Sequence, residues 1–83
     1  MKRVVDIEVN YKCNAEKAIA KFSKRFPEIA EEWGELLQWM ASENVEKQSD
    51  EMLGDGTYNS EWRWCLWLEQ DEDYTDITVI VRA

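Results

Sequence analysis

The sequence predicts a single α+β domain over residues 1–83, in which a three-stranded antiparallel sheet is covered on one face by a helical hairpin. Apolar and polar residues alternate near both ends of the chain, which is the period of a half-buried strand. Apolar residues spaced three and four apart fill the segment between, as in amphipathic helices. A chain of 83 residues holds one core, so the predicted order is β-α-α-β-β.

The first strand is predicted over residues 3–13. Val5, Ile7 and Val9 share the parity that faces the core, whereas Asp6 and Glu8 share the other parity. β-branched residues in period two are typical of a strand with one buried face.

Two helices are predicted next. Asn14 is a favoured N-cap, so the first helix covers residues 15–25 and carries a basic outer face. Pro27 suits the first position of a second helix, which we expect to continue to about Gln48. Gly34 lies inside this helix, and a close contact with the first helix would explain it.

Residues 49–57 predict a loop, because two glycines and three acids interrupt any periodicity. The following strand, residues 58–70, is apolar on both faces, so we expect it in the centre of the sheet, antiparallel to the first strand. The last strand begins at Thr75 after an acidic turn formed by Asp71, Glu72 and Asp73. The two apolar rows meet on one side of this hairpin only if the turn has two or four residues. The predicted pairs are Trp64 with Val81, Leu66 with Val79 and Leu68 with Ile77, with Cys65 near Ile80 and Trp67 near Thr78 on the other face.

Composition excludes several classes of function. Eighteen acids against ten bases give a net charge of −8, which disfavours direct binding to nucleic acid or to an anionic membrane. The chain has no apolar run of transmembrane length and no signal-peptide pattern, so we expect a cytoplasmic protein.

No catalytic motif is evident, and we expect neither an enzyme nor a cofactor. The chain has no His, and Gly54 and Gly56 are not followed by the Lys of a phosphate-binding loop. Cys13 and Cys65 are too few for a zinc site and are expected to be reduced structural thiols. We expect no metal site, although the acidic turn could hold a cation weakly.

The charges are unevenly distributed. Residues 1–25 carry seven bases and three acids, whereas residues 26–83 carry three bases and fifteen acids. At 100° per residue, one sector of the second helix carries acids and Trp39, with no Lys or Arg to relieve their repulsion. Trp is a common anchor of interfaces and accepts cations on its ring. We therefore expect a partner-binding surface composed of Glu28, Glu32, Glu35, Trp39, Glu43 and Glu46.

Three alternatives stay open for this surface and for the sheet. In the first, the acids are merely solvated or are partly neutralised by the basic face of the first helix. In the second, Trp39 lies at the core boundary under the 49–57 loop. In the third, a second interface lies on the sheet face away from the helices. That interface would support a homodimer. Its residues would be Val4, Cys65, Trp67 and Ile80. Trp33, Trp62 and Trp64 are expected in the core.

These expectations favour a small non-catalytic inhibitor that blocks a basic, nucleic-acid-binding surface of another protein. In size, acidity and lack of motifs the chain resembles small phage-encoded inhibitors, including anti-restriction and anti-CRISPR proteins. This resemblance, one of bulk properties, implies a defence nuclease or CRISPR complex as partner. The alternative is a structural or assembly protein that homodimerises through the exposed sheet face.

Overall fold

The structure, a computed structural model, describes residues 4–50 and 63–82. It confirms an α+β fold with a helical hairpin and an antiparallel sheet, but the sheet has four strands instead of three. The elements are β1 (Val4–Tyr11), α1 (Ala15–Arg25), α2 (Pro27–Glu43), β2 (Lys47–Ser49), β3 (Trp64–Gln70) and β4 (Thr75–Arg82). Neither of these two helices is long and apolar enough to cross a membrane.

The helices begin where the sequence predicts. The Asn14 side chain accepts a hydrogen bond from the Lys17 N–H at 3.1 Å, which satisfies one of the free donors at the start of α1. Pro27 occupies the first turn of α2, where its missing N–H has no helical partner to lose.

The predicted end of the second helix is wrong. α2 stops at Glu43 because Asn44 adopts the left-handed conformation (φ 56°, ψ 40°) and donates its N–H to the Met40 carbonyl. Asn is one of the few residues besides Gly that accept this conformation. The chain then turns along the sheet, where Leu68 donates to the Glu46 carbonyl at 2.8 Å. Lys47 and Gln48, which the sequence places in the last helical turn, therefore form β2 together with Ser49.

The strand order β1-β4-β3-β2 also corrects the prediction. β3, the strand expected to pair with β1, is interior as predicted. However, it lies between β4 and β2 and runs parallel to β1. The reason is the added strand: β2 follows α2 and runs antiparallel to β3, so β3 enters the sheet in the opposite direction from the one expected. β3 is described from Trp64; Arg63 lies outside the strand, and the rest of the predicted strand lies outside the described residues.

The register of the β3–β4 hairpin is confirmed. Trp64, Leu66 and Leu68 pair with Val81, Val79 and Ile77, across a four-residue connection. On the opposite face Cys65 pairs with Ile80 and Trp67 with Thr78, also as predicted.

The core lies between the helical hairpin and the inner face of β3 and β4. Phe22, Leu37, Met40, Leu66 and Val79 are fully buried there. Trp33 and Trp64 pack against this core with ring centroids 4.9 Å apart, which confirms two of the three predicted core tryptophans. Trp62 lies outside the described residues. Neither Cys13 nor Cys65 forms a disulfide bond.

Gly34 is buried, but no close approach of α1 accounts for it. Among the described residues, a Cβ at this position would meet only the Ala30 Cβ of its own helix, at an ordinary 3.8 Å. The expected explanation of this glycine is therefore wrong.

Replacing Gly34 with alanine is expected to stabilise the protein by about 0.5–1 kcal/mol, because the helix interior gains a better helix former without a clash. Chemical denaturation measures this gain. A loss of stability would show that α1 approaches more closely than the structure indicates.

The ends of β2 and β3 are joined by an ionic contact. The Asp50 carboxylate accepts the Arg63 backbone N–H at 3.0 and 2.8 Å, and the Arg63 Nε lies 3.6 Å away. Partial burial opposes ionisation of Asp50, but the backbone N–H groups of Arg63 and Trp64 outweigh it and lower its pKa.

Replacing Asp50 with asparagine is expected to lower the free energy of unfolding by about 1 kcal/mol at pH 7, a modest value because the carboxylate is 22% exposed. Since the folded-state pKa is depressed, the contribution is present above the unfolded-state pKa and is lost as pH falls through the folded-state pKa. The variant and the parent should therefore converge in stability under strongly acidic conditions. A difference that persists there would assign the effect to packing instead of charge.

Candidate functional site: the acidic face of α2

The exposed side of α2 is a row of carboxylates with one indole. Helical periodicity places the apolar residues Ile29, Leu37 and Met40 in the core, so the positions on the opposite side of the helix face solvent. We call the following set the acidic face; every member is exposed: Glu28, Glu32, Glu35, Trp39 and Glu43.

Three of the four acids of this face lack a counterion in the described part of the chain. Within residues 4–50 and 63–82, Glu28, Glu35 and Glu43 make no ion pair; the ion pair found there joins Arg63 to Asp50. The cations of α1 are exposed and form no ion pair with these three carboxylates. Direct ion pairing with the basic face of α1 is therefore absent for these three residues.

Glu43 lies at a helix position that is unfavourable for an acid. It is the last residue of α2, and the last turn of this helix contains no basic residue. The partial negative charge at a helix C-terminus disfavours carboxylates by about 0.3–1 kcal/mol. Helix stability therefore does not explain the acid at this position.

Trp39 is the aromatic member of the acidic face. Its exposed fraction is 44%, and apart from Val4 it is the only large hydrophobic residue classed as exposed in the described ranges. Glu35 lies four residues before Trp39 and Glu43 four residues after it, each about one helical turn or 5–6 Å away along the axis. Residues 51–57 of the loop considered as its cover lie outside the described residues.

Glu46 does not belong to this face. The sequence placed it on the helix, but α2 ends three residues earlier, so Glu46 lies in the segment that leads into β2. It is exposed, and its carbonyl accepts a hydrogen bond from β3.

The four residues of the predicted second interface differ in exposure. Val4 is 72% exposed at the start of the edge strand β1, while Trp67 and Ile80 are half-buried. Cys65 is fully buried, which corrects its place in an open face: it pairs with Ile80 on one side and with the buried Ser49 of β2 on the other. The Lys47 ammonium lies 5.3 Å from the centre of the Trp67 ring.

Sequence reasoning missed a groove beside the acidic face. It lies between α1 and α2 and has a volume of about 740 Å³. We call it the interhelical groove; its main lining residues are Ile19, Ala20, Ser23, Gln38, Ala41 and Ser42. The signal was present in the sequence as small and neutral side chains on one flank of each helix.

The acidic turn before β4 shows no metal-binding arrangement. Across the described parts of the chain, no three Cys, Asp or Glu side chains gather as metal ligands would. Here the charge of Glu69, together with the hydrogen bond that it accepts from the Tyr74 hydroxyl at 3.2 Å, raises the pKa of that phenol.

No protein-family model, curated protein or solved structure matches this chain.

Proposed function

We propose that this protein is a non-catalytic binding module that docks its acidic face on a basic, nucleic-acid-binding surface of a partner protein. The observation that carries the proposal is the exposed Trp39 on a helix side otherwise formed by carboxylates, three of which have no ion pair in the described chain.

The acidic face has the layout that a basic groove recognises. Its carboxylates recur about every helical turn, a spacing of the same order as the phosphate repeat of a nucleic-acid strand. Complementary charge steers such a surface to its partner and suppresses wrong partners. The indole supplies apolar contact area and a π-face for an arginine or lysine.

The same features explain why repulsive charges are retained. Glu28, Glu32 and Glu35 are three or four residues apart, and each such pair destabilises a helix by about 0.2–0.5 kcal/mol. A partner that supplies positive charge turns this repulsion into attraction on binding. The resemblance in bulk properties to phage-encoded inhibitors makes a defence nuclease or CRISPR complex the first partner to test.

The proposal is tested by capture followed by competition. The immobilised protein is incubated with bacterial lysate, and bound proteins are eluted at constant ionic strength with duplex DNA or with an uncharged polymer. We expect DNA, but not the uncharged polymer, to release the partner, and a few hundred millimolar salt to release it as well. A captured protein that resists both DNA and salt would contradict the proposal, as would the absence of any captured protein.

A further inference from the structure

The interhelical groove and the acidic face form one continuous surface. Gln38 and Ser42, which line the groove, directly precede Trp39 and Glu43 in the helix. The Ser42 hydroxyl donates to the Trp39 carbonyl at 3.0 Å. A partner element that contacts the indole therefore also reaches the groove.

The groove is shaped for close approach of another backbone. Ala20, Ser23, Ala41 and Ser42 are small, and the buried Ile19 contributes an apolar floor. Helices pack with axes about 8–10 Å apart, and small side chains at the contact allow the shorter distances.

The floor of the groove is held in place by a cross-link from the sheet. Gln70, at the end of β3, donates its side-chain amide to the Ala41 carbonyl at 3.0 Å and to the Asn44 Oδ1 at 3.3 Å. These bonds fix the C-terminal end of α2 on the sheet. The groove is thus formed before any partner arrives, which reduces the ordering cost of binding.

The charge around the groove differs between its two sides. No Lys or Arg of the described chain is among its lining residues, Glu16 of α1 belongs to the lining, and the acidic face borders it along α2. On the α1 side, the exposed Lys17, Lys21 and Lys24 directly follow lining residues. This distribution complements an element that carries cations on the flank facing α2 and small apolar groups at its centre.

We infer that the interhelical groove receives an amphipathic α-helix of the partner, with a stripe of small apolar residues facing the groove and arginines or lysines along the flank that faces α2. This inference rests on the proposed function, whose partner it describes more closely. Helix-in-groove binding of this kind places apolar anchors one turn apart. α1 is 11 residues long, so a partner helix of three to four turns, about 16–22 Å, spans the groove.

A second copy of this chain fits the groove less well. The apolar residues of α1, Ala18 and Phe22 among them, are buried in its own core, while its cations lie on the exposed side. Its helix therefore does not present an apolar stripe flanked by cations. A dimer detected by light scattering that S23K/K24S converts to a monomer would overturn the inference.

The test uses a synthetic 15-residue helix with an Ala/Leu stripe and arginines along one flank, and an isomer of identical composition with the arginines distributed round the circumference. Binding of each labelled peptide to the full chain is measured by fluorescence anisotropy. We expect the striped peptide to bind at least tenfold more tightly than the isomer. Equal affinities would show that the net charge of the peptide, and not its apolar stripe, determines binding, and would overturn the inference.

A composition-matched variant locates the contact. S23K/K24S keeps the net charge but moves a cation from the outer side of α1 into the groove, and should weaken the striped peptide at least tenfold. If this variant has lost its helical circular dichroism, A20K at the exposed Ala20 serves the same purpose. The control E72K/D73K, on the acidic turn, should bind less than threefold more weakly than the parent. Parent-like binding by the folded groove variant would contradict the inference.

The two proposals fail in different ways. Striped-peptide binding that S23K/K24S abolishes, combined with a lysate partner that DNA does not displace, supports the groove and rejects the nucleic-acid-binding surface. Displacement by DNA together with equal binding of the two peptide isomers supports the proposed function and rejects the helix.

Discussion

The double substitution E35K/E43K is expected to weaken partner binding by about 100-fold or more. Each reversal replaces an attraction with a repulsion on either side of Trp39, and close charge pairs at protein interfaces are worth several kcal/mol when one partner is lost. Binding of the purified partner, measured by calorimetry at low and moderate salt, checks the size of the effect. Its salt dependence should fall together with the affinity.

The fold is expected to tolerate these reversals. Lys at position 35 removes repulsion with Glu31 and Glu32, and Lys at position 43 places a cation at the helix C-terminus, where the dipole favours it. The thermal midpoint should therefore stay constant or rise by a few degrees. The variant E72K/D73K makes the same change in net charge on the acidic turn and should bind like the parent. Normal binding by E35K/E43K, or equal loss in the control, would show that the acidic face is not the docking surface.

Replacing Phe22 with alanine is expected to have the largest effect on stability. Its side chain is fully buried between the helices and the sheet, and its ring centroid lies 5.0 Å from that of Phe26. Truncation of a buried Phe costs about 3–5 kcal/mol, including the cavity that remains. For a domain of this length the total stability is of the same order, about 4–12 kcal/mol. The thermal midpoint should fall by about 15–30 °C in circular dichroism melts.

Val4→Ala provides the matched control, because Val4 is 72% exposed and also loses methyl groups. Its stability should stay within about 0.5 kcal/mol of the parent. A Phe22→Ala melt within a few degrees of the parent would contradict the described core.

Local sequence signals predicted the elements whose ends are fixed by neighbouring residues. The N-cap at Asn14 and the proline at position 27 set the helix starts through contacts within a few residues. The register of β3 with β4 followed from parity, because a shift by one residue would have turned every apolar side chain outward. The structure confirms these features.

Other features depend on contacts distant in sequence. β2 consists of Lys47, Gln48 and Ser49, which have no strong strand preference, and pairing with β3 determines its conformation. The helix end at Asn44 carried a signal, since Asn adopts the left-handed conformation, but no Gly or Pro reinforced it. The strand order could not be derived, because it depends on the presence of β2.

The acidic face was predictable from helical periodicity, since 100° per residue already groups Glu28, Glu35, Trp39 and Glu43. The lack of ion pairs between these three glutamates and α1 was not predictable, because it depends on how the two helices pack. The burial of Cys65 and the interhelical groove likewise arise from packing between elements. Periodicity therefore indicates which side chains share a helix face, whereas packing determines what borders that face.

A matched pair of tryptophan substitutions distinguishes the acidic face from the outer face of the sheet. Trp39→Ala and Trp67→Ala remove the same side chain from two different surfaces, and circular dichroism verifies that each variant is folded. Affinity for the purified partner is then compared with that of the parent. We predict that Trp39→Ala loses at least 30-fold in affinity, about 2 kcal/mol, while Trp67→Ala binds nearly as well as the parent. Retained binding by Trp39→Ala together with its loss in Trp67→Ala would place the docking surface on the sheet and contradict the role of α2.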